Sequence, residues 1–404
     1  MEYLETLLKD HDEFSLFNDK GHLTNQAEIC IFNLISAKVG IRQVGHVIEA
    51  VMKMLGRHIH RLPDEKTIRN VNDRMLALSL KQISDEFLQQ EDTTLYTDET
   101  TKFGTKLSGY HASDKEGNFW VLGLRELSNK SSQMTLDVFK QILEDVDQAS
   151  KLINANDSER HAGHTLLSKI RNTMSDRAAT EVAFNTLLQE YRKSILPDVT
   201  EYWTHLSEEE KDVLSRMNNF FCGLHLLVGF AETAEKMIHK FEAINKDAPL
   251  GAAANPQTKH FTNNTESGVS RTIRTCAKAL AKGADEKSGC YRSFKNYLDE
   301  INKKERLERF FGNRFNILFH DAEILFYLKN DIINFIENIH GVTNLLLQGV
   351  VSDVKESMHI AGCKALGLCS KLFTAPFWRL IESKGNILDM NDHYRCMMTF
   401  LKEA

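Results

Sequence analysis

Apolar and aromatic residues fall into three short runs between residues 95 and 129, LYTDETTK, KLSGYHASD and NFWVLGLRELSN, with turn-forming segments between them. Runs of this length, rich in aliphatic and aromatic residues and bounded by turn formers, read as strands. The DKEGN segment closes a tight turn between the second and the third. Three strands in series make an antiparallel meander, and Asp98 then sits on the first strand, facing one side of the sheet. The spacing next changes from two to helical. SSQMTLDVFKQILEDV sets Leu136, Phe139, Ile142 and Leu143 on one face behind a capping serine, Ser131 or Ser132, and predicts a helix.

A second strand-to-helix unit follows the polar stretch between Asp147 and His164. Ile170 and Met174 alternate with polar neighbours up to Asp176, and a helix begins there with Val182, Phe184, Leu187, Leu188 and Tyr191 as its apolar stripe. Ser175 or Asp176 is a candidate cap, with Glu181 at capping-box spacing. After the acidic LSEEEKDVLS, the segment NNFFCGLHLLVGFAETAEKMIHKF reads as a short buried strand running into a helix, with Cys222 and His225 at the junction. A Cys and a His three apart could be half of a zinc site, but no second pair stands at finger-like spacing. A buried histidine that ties neighbouring loops together by hydrogen bonds is the alternative role.

The flanks are helical. Residues 24–58 show helical periodicity broken at Gly40, and a long helix starts after Pro63. Residues 246–270, rich in Ala, Asn, Thr and Pro, read as a surface loop. The locally basic span 271–314 carries helices around AKALAK and SFKNYLDEINKKERLERFF, and offers either a solvated charged face or a surface that follows phosphates. The expected organisation is a helical N-terminal region over 1–90, a sheet-containing core over 91–245 and a helical domain over 246–404.

Composition adjusts this picture in four respects. At 404 residues and 42% hydrophobic, the chain can bury a large core in two or three structural units. Five prolines in that length suit a mostly helical protein. The seven cysteines are odd in number and form no CxxC pair, which reads as reduced thiols in a cytosolic or nuclear protein. No run of about eighteen apolar residues is present to span a membrane, and a net charge of -6 is not that of a simple nucleic-acid binder.

Three antiparallel strands, a helix, a strand ending in Asp, a helix, a strand and a helix is the order of an RNase H-like core, an α/β fold with a mixed five-stranded sheet flanked by helices. That order brings Asp98 and Asp176 together. Two adjacent carboxylates repel unless a cation lies between them, and Mg²⁺ or Mn²⁺ takes oxygen ligands of this kind. Both aspartates are therefore candidate metal ligands and catalytic residues for phosphodiester chemistry.

In sequence order, TDET, SDRAATEVAFNTLL, FFCGLHLLVGFA and GNRFNILFHDAEILFYL resemble the landmarks of hAT-like cut-and-paste DNA transposases, over roughly residues 90–345. The IRQVGHVIEAVMKMLG and LPDEKTI segments resemble the helical lead-in of that family, and 246–404 would be its large helical insertion. The resemblance implies that Asp98 and Asp176 are the first two members of an acidic triad, that Cys222 and His225 support the site, and that Arg314 and Phe315 contact DNA where the family has an Arg-Trp pair. It also implies transposon-end DNA as partner, Mg²⁺ or Mn²⁺ as cofactor, a homo-oligomer and a nuclear location.

The third acid of the triad has Glu323 and Glu382 as candidates. The family's own third acid lies beyond the insertion, and CMMTFLKEA at residues 396–404 is a helical pattern without a stop signal, as in a fragment or a decayed copy. Two carboxylates predict weak metal binding and little strand cleavage. Three functions therefore stand side by side: a transposase-like DNA-processing enzyme, a transposase-derived DNA-binding or protein-interaction module without catalysis, and an RNase H-like nuclease of another lineage.

Overall fold

The computed structural model describes residues 15–87, 89–153, 161–245, 248–259, 265–285, 287–304, 306–312, 316–383 and 387–403. The chain divides into two compact units, Met1–Asn219 and Phe220–Ala404.

In the first unit, three helices lead into the sheet: α1 (Asn25–Ser36), α2 (Ile41–Met54) and α3 (Glu65–Phe87). Gly40 forms the break between α1 and α2, as its place in the pattern predicts. Asp64 starts α3 by accepting the Thr67 N–H at 2.8 Å, a side-chain cap just after Pro63. Ile31, Val44, Ile48, Ile68 and Val71 bury into a small core shared by these helices.

The meander follows as β1 (Thr93–Lys102), β2 (Thr105–Ser113) and β3 (Phe119–Glu126). Phe103 and Gly104, both with positive φ (54° and 82°), make the two-residue turn between β1 and β2, whose twist suits paired strands. Asp114 organises the next turn by accepting the N–H groups of Glu116 and Asn118, both at 2.9 Å. Next come α4 (Ser132–Ile153), α5 (Ala162–Lys169), β4 (Ile170–Ser175), α6 (Ala179–Val199), α7 (Glu208–Ser215) and β5 (Asn218–Phe221). The sheet has the order β3-β2-β1-β4-β5, with β1 antiparallel to β2 and parallel to β4. The chain is thus mixed α/β, with a five-stranded mixed sheet flanked by helices.

One face of the sheet carries the core. Leu95, Tyr110, Ala112 and Leu122 pack with Leu136, Phe139, Ile142, Leu143, Phe184 and Leu188 from α4 and α6. Phe87 meets Trp120 edge-on at 5.1 Å, and Tyr110 stacks on Phe139 at 5.4 Å. The other face keeps Phe119, Val121 and Leu124 exposed. His111 stacks on Phe119 at 5.3 Å there, and Tyr96 lies beside the same ring at 5.7 Å.

The second unit is helical: α8 (Gly223–Asn245), α9 (Gly268–Leu280), α10 (Tyr291–Glu300), α11 (Ile317–Asn334), α12 (Leu345–Val354), α13 (Ser357–Cys369), α14 (Ala375–Glu382) and α15 (Ile387–Glu403), with π-helical turns at Phe335–His340 and Ser370–Thr374. Its core is built on Ile273, Cys276, Phe294, Leu325, Leu328, Phe335 and Val350. No described helix is long and apolar enough to cross a membrane.

Four local expectations change. The helix read through SFKNYLDEINKKERLERFF stops at Glu300, with Asn302 at φ 55° turning the chain out of it. The described part of 246–270 is not a simple surface loop: Ala252 and Thr258 are buried, because Asp353 accepts the Ala252 N–H at 2.7 Å and Thr258 donates to the Ala252 carbonyl at 2.8 Å. Strand β5 is not buried, since Asn218 and Asn219 are exposed and Phe221 is half-buried. The capping box at α6 does not form, for a reason that lies in the acidic site.

Candidate acidic site

Strands β1 and β4 run parallel in register, with Leu95 beside Thr173 and Tyr96 beside Met174. Asp98 lies two residues beyond Tyr96 and Asp176 two residues beyond Met174, so the two stand at the same offset past the last β1–β4 pair; β1 itself continues to Lys102, whereas Asp176 follows the carboxyl end of β4. Sites in α/β sheets gather at that end. Asp98 pairs across β2 with Gly109, shares the open face with Tyr96 and His111, and is exposed. Gly109 leaves room there, because a Cβ on it would meet the His111 ring at 2.9 Å. Asp176 follows the last residue of β4 and accepts the Ala178 N–H at 2.9 Å, which holds its carboxylate at the entry to α6.

The opposite face of β1 brings two further acids. Glu99 sits within 3.2 Å of the Thr135 hydroxyl and 3.9 Å of Lys130 Nζ. Glu181, on the first turn of α6, is 4% exposed and accepts a hydrogen bond from Thr97 Oγ1 at 2.6 Å. It turns inward to β1 rather than back to its own helix end, and the N-cap residue of α6 is Ala178, whose side chain cannot cap. Burial, opposed by the Thr97 hydrogen bond and reinforced by the charges of Glu99, Asp176 and Asp98, pushes the Glu181 carboxyl up to about 7. Glu181 is the site residue that local sequence rules misassign. Its spacing fits a capping box, and only the register of β1 against α6 reveals its other partner.

The remaining candidates are placed as follows. Cys222 lies between β5 and α8, and its carbonyl accepts the His225 N–H at 3.1 Å, so both stand at the strand-to-helix junction. His225 is exposed, unlike the buried role expected for it. Glu323 lies on α11, 3.6 Å from Lys371, and Glu382 is an exposed residue at the end of α14; both belong to the second unit. Arg314 and Phe315 lie outside the described residues.

Asp98 and Asp176 offer carboxylate oxygens, the donor type that Mg²⁺ and Mn²⁺ take, so their chemistry fits such an ion. Among the described residues no group of three or more His, Cys, Asp or Glu is arranged to hold a metal ion. The chain matches no protein-family model and no curated protein.

Proposed function

We propose that this chain is a transposase-like DNA-processing protein of the hAT kind, with an RNase H-like core, acting in the nucleus on the DNA ends of a transposable element. The observation that carries the reading is the equal offset of Asp98 and Asp176 past the last paired residues of the neighbouring parallel strands β1 and β4, in a sheet ordered β3-β2-β1-β4-β5. Asp98 presents its carboxylate on an open, aromatic face, where a strand of DNA has access. Asp176 is oriented by the Ala178 N–H. Mg²⁺ or Mn²⁺, when held by these two side chains, supplies Lewis-acid stabilisation of charge developing on a phosphate. Glu181 stands behind β1, where its proton, held up to about pH 7, sets how much negative charge surrounds the two aspartates.

Two carboxylates make a weak site, because they fill few of the oxygen positions that an octahedral ion requires and leave the rest to water or phosphate. We therefore expect weak binding of Mn²⁺, visible as loss of the free-ion signal in electron paramagnetic resonance, that disappears in both Asp98→Asn and Asp176→Asn. Nicking of supercoiled plasmid with Mn²⁺ should be slow and lost in the same variants. Mn²⁺ binding or nicking that survives both substitutions would remove the aspartates from the reading. A transposase-derived DNA-binding module without catalysis is the second reading, and the two-carboxylate ligand set favours it; DNA binding with neither Mn²⁺ binding nor nicking would select it.

A further inference from the structure

Within the second unit, residues 302–304 and 306, after α10, line a groove of about 790 Å³ together with residues of α11 and α13. Among the described residues its lining holds six cationic side chains and one carboxylate, Glu323, in a chain whose net charge is -6. Two of the cations are engaged: Lys303 with Asp331 at 2.7 Å, and Lys371 with Glu323 at 3.6 Å. Among the described residues, Lys304, Arg306, Lys329 and Lys364 have no carboxylate partner. Like charges converge on a concave surface at a cost in repulsion that an anion would relieve.

Two aromatic rings lie among these charges. Lys329 Nζ is 4.5 Å from the Phe326 ring centre and Lys364 Nζ 5.9 Å from the same ring, while Lys303 Nζ stands 5.3 Å from Tyr327. Tyr327 is 63% exposed. A tyrosine on an outer helix face, beside Lys303 and open to solvent, contributes little to its own fold. Flat apolar faces beside unpaired cations suit a ligand that carries both bases and phosphates. A duplex hides its base faces, and a small phosphate uses no ring, so the combination favours a single strand.

We infer that this groove binds single-stranded nucleic acid, with Lys304, Arg306, Lys329 and Lys364 along the phosphates and Tyr327 under a base. The inference extends the DNA-processing reading to a form of its partner, yet uses neither Asp98 nor Asp176 and needs no metal.

The test is fluorescence anisotropy of a labelled thymidine oligonucleotide of about 15 nucleotides, titrated with the whole chain in EDTA at several salt concentrations. Lys304→Ala combined with Lys364→Ala should weaken binding and lower the log–log salt slope by about 1.4, at about 0.7 for each phosphate contact of a single strand. Tyr327→Ala should cost about tenfold in affinity, while Tyr327→Phe, which keeps the ring, should bind as the parent does. These side chains are exposed, and circular dichroism with thermal melts verifies that each variant is folded. Absence of oligonucleotide binding overturns the inference, as does binding unchanged in the double alanine variant. Duplex binding as tight as single-strand binding, with Tyr327→Ala neutral, overturns the single-strand assignment, and so does a hexakisphosphate that binds where the oligonucleotide does not. Since the assay contains no metal and reads no cleavage, failure here is separable from failure of the Asp98–Asp176 reading, whose variants should bind the oligonucleotide normally.

Discussion

Glu181 is where a single side chain ties stability to pH. Its carboxyl is raised from an ordinary value near 4.5 to about 7, first by burial and then by the neighbouring charges of Glu99, Asp176 and Asp98. Between those two values the folded chain holds a proton that the unfolded chain has released, so stability falls as pH rises from about 4.5 to 7 and stays low above it. The full penalty is at most about 3–4 kcal/mol, taking about 1.4 kcal/mol for each unit. Glu181→Gln keeps a carbonyl oxygen for the Thr97 hydroxyl and removes the charge. Urea melts at pH 5 and pH 8 should show the variant more stable than the parent at pH 8, with the gap shrinking toward pH 5. Parallel profiles for the two proteins would mean that Glu181 does not titrate in this window.

At the scale of elements, what the chain spells out locally is what periodicity governs. The meander and α4 follow from alternation and helical spacing, and the buried set Leu136, Phe139, Ile142 and Leu143 is the stripe the sequence displays. Partners far apart in the chain stay hidden. Residues 250–258 look like a loop because their anchor, Asp353, lies about a hundred positions away: it accepts the Ala252 N–H and pairs with Arg271 through two contacts, 2.8 and 3.0 Å. The acidic site divides in the same way, with Asp98 legible as a carboxylate on a strand, Asp176 as one at a strand's end, and Glu181 legible only once β1 and α6 are placed. Asp353→Ala should leave the Arg271 guanidinium, only 5% exposed, without its counter-charge. The expected loss is about 3–5 kcal/mol, together with faster hydrogen exchange at residues 250–258. Exchange there at the parent rate would show that other contacts hold the segment.

The whole molecule is organised by two large apolar clusters that share no residue. One runs from Leu80 to Met217 around the sheet, and the other from Ala231 to Leu366 among the helices of the second unit. Phe139 is fully buried in the first and Phe294 in the second. This division matters for function, because the carboxylates Asp98 and Asp176 belong to the first unit and the cationic groove to the second, so a mutation that loosens one core can spare the chemistry of the other. Truncating a buried phenylalanine to alanine costs about 3–5 kcal/mol through lost contacts and the cavity left behind. Phe139→Ala should therefore raise hydrogen exchange across β1, β2 and α4 and abolish Mn²⁺ binding while leaving oligonucleotide binding at Lys304 and Tyr327 in place. Phe294→Ala should do the reverse, raising exchange in α9, α10 and α11 and weakening the oligonucleotide while Mn²⁺ binding persists. Exchange that rises across both clusters in either variant would show that the two cores unfold as one cooperative body, and the two activities would then have to be lost together.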